Sequence, residues 1–177
     1  MTRLTLSVVV ASGIIALAGC GPAEPDAPET AAAPATAITP TAAADIPDAV
    51  RTVVLAAQPG MVIVEAELKE REDRRYYDVE GTLNGTGIEL DLLETPRGWQ
   101  VVEIQRDIPW SAAPDAVRAA AEGSRSGFTP ARVIESTQAE DGAIIYELFA
   151  DGQPATPVLE VRAANGRTDV LKEAWPH

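Results

Sequence analysis

Pro47-Asp48-Ala49-Val50-Arg51 recurs as Pro114-Asp115-Ala116-Val117-Arg118, an offset of 67 residues. Five matching residues alone could arise by chance in an Ala-rich chain. The same step, however, relates Gly60 to Gly127 and Pro109 to Pro176. The turn residues keep it within one position, Asp73 with Asp141, Gly85 with Gly152 and Gly98 with Gly166. A step that persists along the whole segment is the signature of a duplicated unit. The expected copies are residues 46–112 and 113–177.

Outward from the motif, each copy reads as a helix followed by four strands. In the first, Ile46, Val50, Val53, Val54 and Ala57 fall at three- and four-residue spacings, a helical stripe. Asp45 is placed to cap it, Pro47 suits its first turn, and Pro59-Gly60 ends it. Val62, Val64, Ala66 and Leu68 then alternate with polar residues, as do Tyr77 with Val79 and Ile88 with Leu90 and Leu92. Val102 and Ile104 predict a fourth strand. Glu72-Asp73, Asn84-Gly85 and Arg97-Gly98 supply hairpin turns. In the second copy, Val117, Ala120 and Ala121 predict a shorter, weaker helix. Strands are expected around Val133, Tyr146 with Leu148, Leu159 with Val161, and Val170 to Trp175.

A unit of this size buries too small a share of its surface to be secure alone, so the two copies should share a core. The predicted fold is α+β: two tandem helix-plus-four-strand repeats forming an antiparallel sheet of up to eight strands, with the helices packed on one face. The other face would stay open to solvent or to a partner. Trp110 falls at the junction of the copies.

Upstream, residues 1–19 read as an export signal. Arg3 gives the charged start, and Leu4 to Leu17 is an apolar stretch too short to span a bilayer. It ends in Leu17-Ala18-Gly19-Cys20, which resembles the bacterial lipoprotein signal. That resemblance implies diacylglyceryl attachment to the Cys20 thiol, cleavage before it, and a membrane anchor at the cell envelope. Gly21 after the cysteine implies the outer membrane, facing the periplasm, if the host is Gram-negative. Residues 20–45 hold five prolines and ten alanines and predict a disordered tether reaching up to roughly 80 Å at ~3.1 Å per residue.

Charge and composition narrow the function classes. The 177-residue chain has 14 basic and 27 acidic side chains, a net charge of −13. Nucleic-acid binding needs clustered Lys and Arg and is not expected. Residues 46–177 keep 23 of the acids and 13 of the bases, a net of −10, so the acidity belongs to the folded part. One cysteine excludes an intramolecular disulfide or a Cys-rich zinc site, and one histidine, terminal His177, leaves no His-based triad. Glu65 with Glu67 and Glu89 with Asp91 have the spacing of paired carboxylates, but the reading is a solvated sheet surface rather than acid–base catalysis. Glu140-Asp141-Gly142 lacks the rest of an EF-hand loop, and the glycines form no phosphate loop. No catalytic, cofactor or metal site is expected.

The helix opening with Pro-Asp-Ala-Val, the Pro-Gly break, the acid-bearing aromatic strands (Tyr77-Asp78-Val79-Glu80 and Tyr146-Glu147-Leu148) and the Asn-Gly and Asp-Gly hairpins come in order. Together they resemble PepSY and PepSY-like domains of secreted bacterial proteins. Their tandem arrangement is similar to that of the β-lactamase-inhibitor-protein family. The second copy departs from the pattern, with Ser126-Gly127 for Pro-Gly. The resemblance implies a non-catalytic envelope module that binds or restrains a peptidase, with no active residue to carry over. Strict alternation puts Tyr76 and Trp99 on the open face beside acids, the composition of a protein-binding patch. The alternative is a structural acidic lipoprotein that binds cations or cationic surfaces non-specifically.

Overall fold

The repeated motif opens both helices of the computed structural model, which describes residues 36–152 and 154–175 of the chain. Helix α1 is Asp48–Ala57 and helix α2 is Asp115–Ser124, so the second is as long as the first rather than shorter. Pro47 and Pro114 stand just before them, where a missing N–H costs nothing. Asp48 and Asp115 face the positive end of the helix dipole. Val50 and Val117 are fully buried. Arg51 donates to the Ala43 carbonyl at 2.5 Å, and Arg118 donates to the carbonyls of Ala113 and Ser111 and pairs with Asp115. Each part of the motif thus has the same structural task in both places. Asp45 is not the helix cap. It closes a short 3-10 turn, Ala43–Asp45, that precedes α1.

The strands are β1 (Ala37–Ala42), β2 (Val62–Arg71), β3 (Arg74–Leu83), β4 (Thr86–Thr95), β5 (Gly98–Ile108), β6 (Arg132–Gln138), β7 (Ile144–Phe149), β8 (Leu159–Ala164) and β9 (Arg167–Val170). They form one sheet in chain order, every neighbouring pair antiparallel. Among the described residues the sheet therefore has nine strands, not the expected maximum of eight. The extra one comes from the expected tether: residues 37–42 pair along the free edge of β2 from Ala37–Glu70 to Ala42–Glu65. An unpaired strand edge is a row of unsatisfied N–H and C=O groups. Thr and Ala can satisfy it, and Pro40 is tolerated because an edge strand bonds on one side only. At the other end, β9 begins and ends earlier than the expected strand at Val170–Trp175. Residues 1–19 and Cys20, with most of the tether, lie outside the described residues.

The register assigns the two faces. Ala66, Val79, Leu90, Ile104, Thr137, Ile144 and Ala163 stand opposite one another across successive strands. This face carries both hydrophobic clusters. Ile46, Val50 and Val54 pack on Tyr77, Val79, Leu90 and Leu92, while Ala113, Val117 and Ala121 pack on Val133, Tyr146, Leu148 and Val161. Trp110 packs against the second cluster. Both helices therefore lie on one face of the sheet, α1 against β5 and α2 against β8 and β9.

Two irregularities interrupt the ladders, one between Ile63 and Glu65 on β2 and one opposite Asp91 and Leu92, where β5 carries an extra residue, Val102. Such bulges bend a strand and increase its twist. At the first, β2 and β3 approach so closely that a Cβ on Gly81 would lie 2.3 Å from the Val62 carbonyl oxygen.

Candidate functional site

The face opposite the helices concentrates negative charge on strands β2 to β5. One row runs Glu67, Asp78, Asp91, Glu103 and ends on Gln138 of β6. The adjacent row runs Glu65, Glu80, Glu89 and ends on Gln105 and Ser136. Seven carboxylates thus occupy two neighbouring rows. Residues directly opposite have Cβ atoms only about 4.5–5.5 Å apart, and like charges there are destabilising.

These groups are not all solvated, as the spacing alone suggested. Asp78, Asp91 and Glu103 are only 6%, 8% and 3% exposed. Glu103 accepts hydrogen bonds from Ser136 Oγ and, at 3.0 Å, from Gln138 Nε2. Asp78 is paired with Lys69 Nζ. Asp91 Oδ1 is buried and has no hydrogen-bond partner. Oxygens from Asp78, Glu89 and Asp91 lie within 4.8 Å of one another. A cleft of about 110 Å³ opens beside Glu89, lined also by Glu80, Gln105, Asp107 and Arg132.

The electrostatics follow from that crowding. Burial, with the charges of Asp78, Glu80 and Glu103 only partly offset by Lys69, pushes the Glu89 carboxyl up to about 7. Burial and the charges of Asp78, Glu89 and Glu103 push Asp91 up further still. Lys69 is lowered by burial, yet its hydrogen bond and attraction to Asp78 hold it above its ordinary value.

Tyr76 and Trp99 are not brought together. Tyr76 is half-buried on the acidic face, two residues from Asp78, with the Arg71 guanidinium 4.9 Å over its ring. Trp99 lies on the helix side, packed against the first hydrophobic cluster and edge-on to Tyr77 at 5.1 Å. The extra residue Val102 is the cause. Strict alternation would bury Val102 with Ile104, but the bulge reverses the pattern before it, so Val101 and Trp99 turn inward while Glu103 stays opposite Asp91. Cys20 lies outside the described residues.

Sequence reasoning missed the convergence of Asp78, Glu89 and Asp91. Its signal was present: counting back from the Glu72-Asp73 and Asn84-Gly85 turns sets Glu67 opposite Asp78 and Asp78 opposite Asp91. Burial of those acids carried no such signal.

On the second half of the same face the acids are handled differently. Glu147 and Glu160 stand opposite each other on β7 and β8, both buried. The segment after β9 returns to this face. There the Leu171 N–H donates to the Glu160 carbonyl at 2.9 Å, and the Trp175 N–H donates to Glu160 Oε2 at 2.7 Å. Arg162 lies 5.9 Å from the Trp175 ring centre and pairs with Asp141 at 2.5 Å. Ile134, Ile145 and Phe149 fill the surroundings. No family model matches this chain, and neither a curated protein nor a solved structure matches it. Among the described residues no helix is long and apolar enough to cross a membrane.

Proposed function

We propose that the chain is a non-catalytic, lipid-anchored envelope module, built from a duplicated PepSY-like unit, whose acidic sheet face holds the basic surface of a partner protein. An envelope peptidase is the partner class to which the sequence resemblance points. The observation that carries the reading is the double row of seven carboxylates on the face without helices. Opposed like charges weaken a sheet, so their accumulation is reasonable where a cationic partner neutralises them. The order of one helix and four strands, occurring twice, supports the duplication. The Leu17-Ala18-Gly19-Cys20 signal supports the anchor.

The test is affinity capture of the lipidated protein from its own envelope, together with direct inhibition assays on periplasmic peptidases. Glu65→Gln, Glu67→Gln and Glu80→Gln in combination, or Tyr76→Ala alone, should release a captured partner while the fold persists. Capture unchanged by either variant removes this face from consideration. Binding to any basic protein that vanishes by a few hundred millimolar salt would instead favour a non-specific acidic lipoprotein.

A further inference from the structure

The geometry points to a divalent-cation site, calcium being the ion it suits, formed by Asp78, Glu89 and Asp91 on adjacent strands β3 and β4. Three carboxylate oxygens, one from each residue, converge within 4.8 Å of one another. Two ligands each about 2.4 Å from a calcium ion can be no more than about 4.8 Å apart, and all three pairs meet that condition for sharing one ion. An all-carboxylate set is hard and anionic, the chemistry of calcium or magnesium rather than of zinc or copper.

A second, independent observation comes from Asp91. The residue is only 8% exposed, and its buried Oδ1 has no hydrogen-bond partner. A buried carboxylate oxygen without a partner bears its full desolvation penalty, and a coordinated cation is the partner that carries the most charge. Its neighbour Glu103 is already served by Ser136 and Gln138, which isolates the deficit at Asp91.

Charge counting agrees. Asp78, Glu89 and Asp91 total −3 when ionised, and Lys69 beside Asp78 contributes +1. The remaining −2 is balanced by the +2 of one divalent cation. A cleft opens beside Glu89, one of the three ligands. The inference goes beyond the partner-binding proposal and does not depend on it.

The test is calorimetric titration of the full chain, stripped with chelator, against calcium chloride alone, with thermal unfolding followed in calcium and in EDTA. One calcium per chain is expected, at an affinity no weaker than the ~10⁻³ M of extracellular calcium modules, with a raised Tm. Asp91→Asn should lower the affinity by about tenfold or more while unfolding in EDTA at or above the wild-type temperature, because the amide keeps the shape and removes a buried charge. Lys69→Ala should bind calcium more tightly, since it removes the competing ammonium.

Three results overturn the site. One is no calcium binding to wild type or Lys69→Ala up to about 10 mM, beyond the weak limit for such modules. Another is binding that Asp91→Asn leaves unchanged, which places the ion elsewhere. The third is an oligolysine peptide that binds while calcium neither binds nor competes. Partner capture, repeated in calcium and in EDTA, is a separate readout: its loss with calcium binding intact rejects only the partner proposal.

Discussion

The two halves of the face opposite the helices solve the same problem in opposite ways. On β7 and β8, Glu147 and Glu160 are buried as a like-charged pair. The chain then turns back over them, giving Glu160 the Trp175 N–H and lining the site with Ile145 and Phe149. On β3 to β5, Asp78, Asp91 and Glu103 are equally buried, with Lys69 paired to Asp78 and Ser136 and Gln138 donating to Glu103. Both ladder irregularities also fall in this first half, and among the described residues none falls in the second. Acid burial is thus compatible with a settled structural element where the chain supplies its own donors. The difference between the halves is crowding: in the first, oxygens of Asp78, Glu89 and Asp91 converge within 4.8 Å of one another, whereas in the second Glu147 and Glu160 form a single opposed pair.

The comparison breaks most visibly with pH. In chelator, Glu89 and Asp91 hold their protons more tightly when folded than when unfolded, because their carboxyls are raised by burial and neighbouring charge. The folded state therefore binds more protons above the ordinary carboxylate range. The stability this contributes is fully present below about pH 4.5 and is lost as pH rises through about 7 for Glu89, and higher for Asp91. Glu89 alone accounts for a decline on the order of 3 kcal/mol between the two limits. Urea unfolding in EDTA from pH 5 to pH 9 should show stability falling. A flat or rising profile would mean that the first half neutralises its acids as completely as the second.

A smaller effect tests the bulges that set the first half apart. Gly81→Ala pushes a methyl group to 2.3 Å from the Val62 carbonyl oxygen, so β2 must separate from β3. The expected loss is about 1–3 kcal/mol, measured by the denaturation midpoint, with weakened amide protection on β2. Retention of wild-type stability would show that the close approach has no energetic consequence.

The smallest pair is the most diagnostic because the signs differ. Asp91→Asn should raise the stability of the chelated protein at pH 8 by about 1 kcal/mol, since it removes a buried carboxyl that burial and neighbouring charges make costly to ionise. Glu160→Gln should lower it by about 1 kcal/mol, since the charge-assisted bond from the Trp175 N–H weakens. Changes of the same sign would erase the distinction between the halves.

Much of the frame could be read from the residues. Alternation in Val62 to Leu68 and in Ile88 to Leu92, with the Asn-Gly and Asp-Gly turns, located strands whose antiparallel pairing is observed. The five-residue motif located both helices. Three things were hidden, each for a physical reason. β1 was hidden because Ala37–Ala42 has little apolar pattern, its pairing being dictated by the unsatisfied edge of β2. Trp99 was assigned to the wrong face because one inserted residue, Val102, inverts a period-two pattern, and nothing local marks the insertion. The Asp78–Glu89–Asp91 cluster required cross-strand register, which becomes visible only when the hairpins are closed.

The edge position of β1 has a mechanical consequence. Any pull reaching the domain along the chain from its N-terminal side acts first on Ala37, at one end of the β1–β2 ladder. Pulled outward from that end, the ladder opens one rung at a time like a zip, rather than all at once. Its six residues then pay out about 20 Å of slack before load reaches α1 and the core. The strand is a reel of spare line, and paying it out uncovers the edge of β2.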